Sequence, residues 1–115
     1  MPRSSSSVPT RHRRNKVIKA ASGYYGAKSR LFKTSKEAVE KSLQYAYRDR
    51  KVRKREFRKL WIARINAGSR QFGMSYSAFM NALAKNNIQL NRKVLADLAV
   101  NDIKAFEDLV SSVKA

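Results

Sequence analysis

Cysteine is missing from the 115 residues, which removes disulfides, thiolate metal sites and cysteine nucleophiles from consideration and suits a reducing compartment. Proline is almost missing too: Pro2 and Pro9 are the only two, so nothing after the ninth residue carries a proline break. No apolar run approaches the roughly 18 residues of a membrane span, and the N-terminus lacks the apolar core of a secretory signal. Retention in the cytoplasm is therefore expected, without a membrane partner. The chain has no glycine-rich phosphate loop, no H-E-x-x-H, no G-x-S-x-G and no cluster of carboxylates. Asp97, Asp102, Glu107 and Asp108 are scattered over short segments where capping and solvation account for them. No enzyme activity, cofactor, metal site or small-molecule substrate is expected.

What is scarce above all is negative charge. Only 8 Asp or Glu stand against 26 Lys or Arg, giving a formal net charge of +18 and a pI near 10.9. The excess is one-sided along the chain. Met1 to Gly73 holds 21 basic and 4 acidic residues, a net of +17, whereas Met74 to Ala115 holds 5 and 4, a net of +1. A basic arm precedes a nearly neutral domain.

The arm centres on RDRKVRKREFRKLWIAR, Arg48 to Arg64. Its cations are Arg48, Arg50, Lys51, Arg53, Lys54, Arg55, Arg58, Lys59 and Arg64, opposed only by Asp49 and Glu56. Good helix formers without Pro or Gly predict a helix. Val52 and Phe57 are the only large apolar residues in its first dozen, too few to dock on a core, so positive charge is expected to point outward in nearly every direction. Solvated helices normally interleave acids and bases and come out near neutral. This one is seven charges in excess, which points to a polyanion partner. A membrane surface does not fit, because the stretch lacks the apolar face needed to enter a headgroup layer.

The flanking segments suit the same partner. Residues 1–9, with Arg3 and four serines, have nothing to bury and are expected to be a flexible tip. Thr10 can cap a short helix over about 10–21 that carries Arg11, Arg13, Arg14, Lys16 and Lys19, with Val17, Ile18 and Ala21 as a narrow apolar edge. His12, the single histidine, lies among these arginines, where a metal would be repelled and no carboxylate is near enough in sequence to orient it as a base. Gly23-Tyr24-Tyr25-Gly26, in a turn over 22–27, lets the chain change direction and offers two flat rings beside Lys28, Arg30 and Lys33. The rings suit base stacking or sugar contact as well as packing against protein. A helix over about 36–70, roughly 52 Å at 1.5 Å per residue, then runs through the basic stretch to Arg70. At its end Leu60, Trp61, Ile65 and Gly68 share a dockable side, with Trp61 read as core or junction in preference to a base-stacking ring.

Gly73 breaks this helix. Beyond it, Ser75 caps a helix with Phe79, Met80 and Leu83 inward, ended by Asn86-Asn87. Asn91 caps a second with Val94, Leu95 and Leu98 buried, and Asp102 a third with Ile103, Phe106, Leu109, Val110 and Val113 on one face. The expected fold is all-α: an extended basic N-terminal arm (1–73) with a short and a very long helix, followed by a small C-terminal three-helix domain (74–115). About 40 residues is near the lower limit for independent folding, so the segment from Leu60 to Gly68 is expected to add to the core.

A nucleic-acid binder is what these exclusions leave. A basic DNA-compacting or transcription-related protein is the alternative. Charge spread along some seventy residues favours insertion among the helices of a folded RNA over the single recognition helix of a dimeric DNA reader.

Four segments carry a resemblance to a known family: GYYGAKSR (Gly23 to Arg30), QYAYRDRKVRKREFRKLWIARINA (Gln44 to Ala67), GMSYSAF (Gly73 to Phe79) and LNRKVLADLA (Leu90 to Ala99). Together they closely resemble the bacterial-type large-subunit ribosomal proteins called L-twenty, in register over nearly the whole chain. The resemblance implies a protein of the large ribosomal subunit that binds 23S-type ribosomal RNA directly and early in assembly, next to other large-subunit proteins and not as a homo-oligomer. In some members it also implies repression of the protein's own messenger. Carried over by position, the RNA-facing residues add Ser75, Tyr76, Ser77, Asn91, Arg92 and Lys93 to the basic and tyrosine residues named above. The chain departs from the family at Ser4 to Ser7, where relatives usually carry a Lys or Arg, and at Asn15, where a base is common.

Overall fold

A computed structural model describes residues 3–115; the first two residues of the expected flexible tip lie outside it. Every regular element among the described residues is helical: α1 (Ser7–Ala20), a 3-10 turn (Gly26–Ser29), α2 (Phe32–Gln71), α3 (Tyr76–Lys85), α4 (Arg92–Asn101) and α5 (Ile103–Lys114). The chain divides into two compact units between Lys51 and Val52, inside α2. The division falls there because the last turns of α2 supply Ile65 to the core of the second unit.

In the first unit, α1 starts at Ser7, three residues before the expected cap at Thr10, and takes in part of the expected tip. Pro9 lies in its first turn, where the missing N–H would have had no helical partner and the fixed φ already suits a helix. Thr10 is no cap; its N–H donates to the Ser6 carbonyl at 2.9 Å. No residue of α1 is buried, so the helix contributes charge and almost no core. The buried residues of this unit are small: Ala21, just past the end of α1, and Ser35.

Helix α2 starts at Phe32, four residues before the expected position. Two hydroxyls in its first turn reach back to the 3-10 turn: Thr34 Oγ1 donates to the Ala27 carbonyl at 2.9 Å and Ser35 Oγ to that of Lys28 at 2.7 Å. The turn and the first turn of α2 are therefore fastened together. At the other end, Gly73 adopts φ +81. Its N–H donates to Arg70 at 3.2 Å and that of Met74 to Ser69 at 3.0 Å, the paired bonds of a left-handed helix stop.

The second unit closes around Ile65, Phe79, Leu83, Leu95, Ala96, Phe106, Val110 and Val113. Phe106 is its centre, with the Phe79 ring 5.4 Å and the Phe72 ring 6.3 Å away. The three expected caps are in place: Ser75, Asn91 and Asp102 accept from the N–H groups of Ala78, Val94 and Ala105. Asn87, at φ +56, closes α3 as Gly73 closes α2, with the Ile88 N–H on the Leu83 carbonyl at 3.0 Å.

Three apolar residues expected inside are not. Leu60 is 41% exposed, Val94 40% and Ile103 52%. Val94 is in the first turn of α4 and Ile103 is the first residue of α5, positions at helix ends where neighbouring helices give the least cover. Helix α4 buries Leu95 and Ala96 instead.

Candidate nucleic-acid interface

Every lysine and arginine among the described residues is exposed except Arg92, which is half-buried. Carboxylates answer only two of them: Arg48 Nε lies 3.0 Å from Asp49 Oδ1, and Lys59 Nζ lies 3.2 Å from Glu56 Oε1. Both pairs are solvent-exposed and hold little energy. The cationic load is thus neither buried nor neutralised within the chain.

Its arrangement on α2 differs from the expected all-round coating. At about 100° per residue, Arg50, Lys54, Arg58, Lys51, Arg55, Arg48 and Lys59 follow one another around one half of the helix. Arg53 is the only cation of Arg48 to Lys59 on the opposite half, which carries Asp49, Val52, Glu56 and Leu60. From Arg48 to Lys59 the cationic face is about half a circumference wide with a mixed back, and Arg64, further along, falls beside Arg53 on that back.

Aromatic rings are interleaved with the cations. Lys41 Nζ lies 5.0 Å and Arg48 Cζ 4.6 Å from the Tyr45 ring, Lys51 Nζ 4.6 Å from Tyr47, and Arg53 Cζ 5.6 Å from Phe57. These exposed rings were not among the expected site residues. Their spacing of three or four residues from a cation is the signal that marks them.

Of the remaining expected residues, Arg3 precedes α1, and Arg11, Arg13, Arg14, Lys16 and Lys19 stand exposed along it. Arg14 lies 5.2 Å over the Phe32 ring. Lys28 is in the 3-10 turn, with Arg30 and Lys33 exposed beyond it. Tyr24 is half-buried, whereas Tyr25 is 96% exposed. The residues from Trp61 onward form a second locus. A recess of about 630 Å³ is lined by Trp61, Arg64, Asn91, Lys93 and Asp97, and a smaller one brings Arg58 and Arg92 to the same tryptophan. Trp61 also packs against the core, so it serves as the floor of a basic groove. Arg92 Nε donates to the Tyr76 hydroxyl at 2.7 Å, which fixes that arginine at the start of α4. The side chains of Ser75 and Asn91 cap their helices, Ser77 is exposed on α3, and Arg70 is bound to Asn66 Oδ1 at 3.1 Å.

The comparisons with known proteins bear on the same stretch. The family model described as ribosomal protein L20 matches residues 3–109. The chain belongs to that family. It is 60% identical to the large ribosomal subunit protein bL20 of Carboxydothermus hydrogenoformans over 99% of this chain and 97% of the relative. The proteins of the same description from Acetivibrio thermocellus and Staphylococcus carnosus are 59% and 57% identical over 100% of this chain and 98% of each relative. Ribosomal proteins of this family are structural components rather than enzymes, and they work in the cytoplasm with the ribosome. No helix among the described residues is long and apolar enough to cross a membrane.

Proposed function

We propose that this chain is part of the large ribosomal subunit, binds large-subunit ribosomal RNA directly and supports its folding early in assembly, next to other large-subunit proteins. The observation that carries the proposal is the set of exposed lysines and arginines of which only two have a carboxylate partner among the described residues. Cations held on a helix without internal counter-charge lower the repulsion between RNA helices that approach them. Phosphate contacts supply affinity, and the second unit with its Trp61 groove supplies a fixed surface of its own.

The test is affinity for a large-subunit RNA fragment as a function of salt. Several condensed counterions leave with each protein bound, so log affinity should fall against log salt with a slope of about −5 or steeper. A slope near zero overturns neutralisation as the mechanism. Displacement of the structured RNA by duplex DNA at equal phosphate would favour the DNA-compacting alternative.

A further inference from the structure

Within the first unit, the turn at Gly23 to Gly26 and one face of α2 border an open, shallow recess of about 450 Å³. Tyr24, Tyr25 and Lys28 line it from the turn, and Lys41, Ser42 and Tyr45 from the helix. No carboxylate lines it. Glu37 and Glu40 stand near it on α2 but outside its lining, and Asp49, further along, is engaged by Arg48 at 3.0 Å.

The turn that forms one wall is held in place. Gly23 and Gly26 adopt φ +87 and +59, and a Cβ at either would meet nothing within 4 Å, so glycine is required there by the backbone and not by crowding. Thr34 and Ser35 tie the next two carbonyls to α2. On this fastened turn Tyr25 is 96% exposed, a large ring with almost no protein partner. Tyr45 differs, because its ring already has Lys41 and Arg48 within 5.0 Å. The recess therefore offers a free aromatic ring on the turn and one lysine on each wall.

That pairing fits one chemistry, a flat π surface attached to a phosphate. We propose that the recess takes an unstacked base of the bound RNA, with Tyr25 stacking on the base and Lys28 and Lys41 holding the adjoining phosphates. The proposal rests on the RNA-binding reading above and adds to it a site that recognises single-stranded nucleotides. A duplex keeps its bases stacked and would leave Tyr25 idle, so the ligand is a bulge, loop or junction.

The experiment compares Tyr25→Ala and Tyr25→Phe with the parent in binding to the large-subunit RNA fragment across a salt series. Tyr25→Ala should weaken binding about tenfold, since one base–aromatic stack is lost. Tyr25→Phe should stay within about twofold of the parent, and both variants should keep the parent's salt slope because no charge has changed. The side chain is too exposed for either change to disturb the fold, which circular dichroism would confirm. Equal affinity of Tyr25→Ala and parent, with the steep slope intact, overturns the recess and leaves the proposed function standing. Normal binding of Tyr25→Ala to naked RNA combined with its loss from assembled subunits would make the partner a protein, and it also overturns the proposal. A flat slope in the parent itself strikes the RNA-binding reading directly.

Discussion

Gly68 is buried where α2 packs against Ala99 of α4 and Phe106 of α5, and Gly68→Ala sets two effects of opposite sign against each other. A Cβ there would lie 3.0 Å from Phe106 Cε1, 3.1 Å from Ala99 Cβ and 3.4 Å from Phe106 Cζ. Alanine in a helix interior is worth about 1 kcal/mol over glycine. Against this stands an overpacking cost of about 1–3 kcal/mol. The surroundings decide which wins. Phe106 is fully buried and its ring is held by Phe79 and Phe72, while Ala99 Cβ is fixed to the α4 backbone, so neither neighbour can yield alone. The cost should reach about 2 kcal/mol and leave a net destabilisation of about 1 kcal/mol. Trp61, the chain's single tryptophan, packs against this core and reports its unfolding by fluorescence. With an m value of about 1 kcal/mol/M for so small a unit, the urea midpoint should drop by about 1 M. Phe106→Leu in the same background should recover part of the loss. A midpoint for Gly68→Ala at or above that of the parent would refute the reasoning, because it would show that the packing against Phe106 has slack.

Asn91→Ala should cost about 1 kcal/mol in the same urea titration, because the Val94 N–H loses the oxygen now 2.9 Å away; an unchanged midpoint would mean that water replaces the cap without loss. Arg58→Ala, on the cationic face of α2, should reduce the salt slope of RNA binding by about 0.9, and Arg53→Ala, on the back, by clearly less. Equal reductions would restore the picture of cations active on all sides.

What could be read directly from the chain was whatever local chemistry determines. Ser75, Asn91 and Asp102 cap their helices, and Gly73 and Asn87 stop theirs, because each effect involves residues within a few positions of one another. The early starts of α1 and α2 escaped notice for an equally local reason: Pro9 reads as a boundary until it is placed in a first turn, and nothing before Phe32 resembles a cap. The exposure of Val94 and Ile103 depends on which helices lie over them, which periodicity does not specify. At the candidate interface, the basic residues were legible as a class. The half-circumference they occupy follows from helix phase and was available in the spacing of Asp49, Val52 and Glu56 at i, i+3 and i+7. The recess at Tyr25 was not available, because it needs the turn folded back onto Lys41 and Tyr45.

The one-sided charge of α2 also constrains the shape of its partner. From Arg48 to Lys59 the helix rises about 18 Å and carries eight cations against two acids, or roughly one net positive charge per 3 Å. A nucleic-acid duplex carries about one negative charge per 1.7 Å, so a single duplex alongside α2 has charge enough to neutralise it. Geometry is the tighter limit. Seven cations spread over about 180° cannot all meet phosphates on a flat or convex surface, whereas the walls of a groove or a cleft between two helices can receive them. If all seven engage, this segment alone accounts for a salt slope of about −6; a flat surface reaching half of them would give about −3. The size of the slope therefore measures how far RNA wraps around α2. The mixed back, with both acids and half-buried Val52, is the side that such a cleft would leave uncovered.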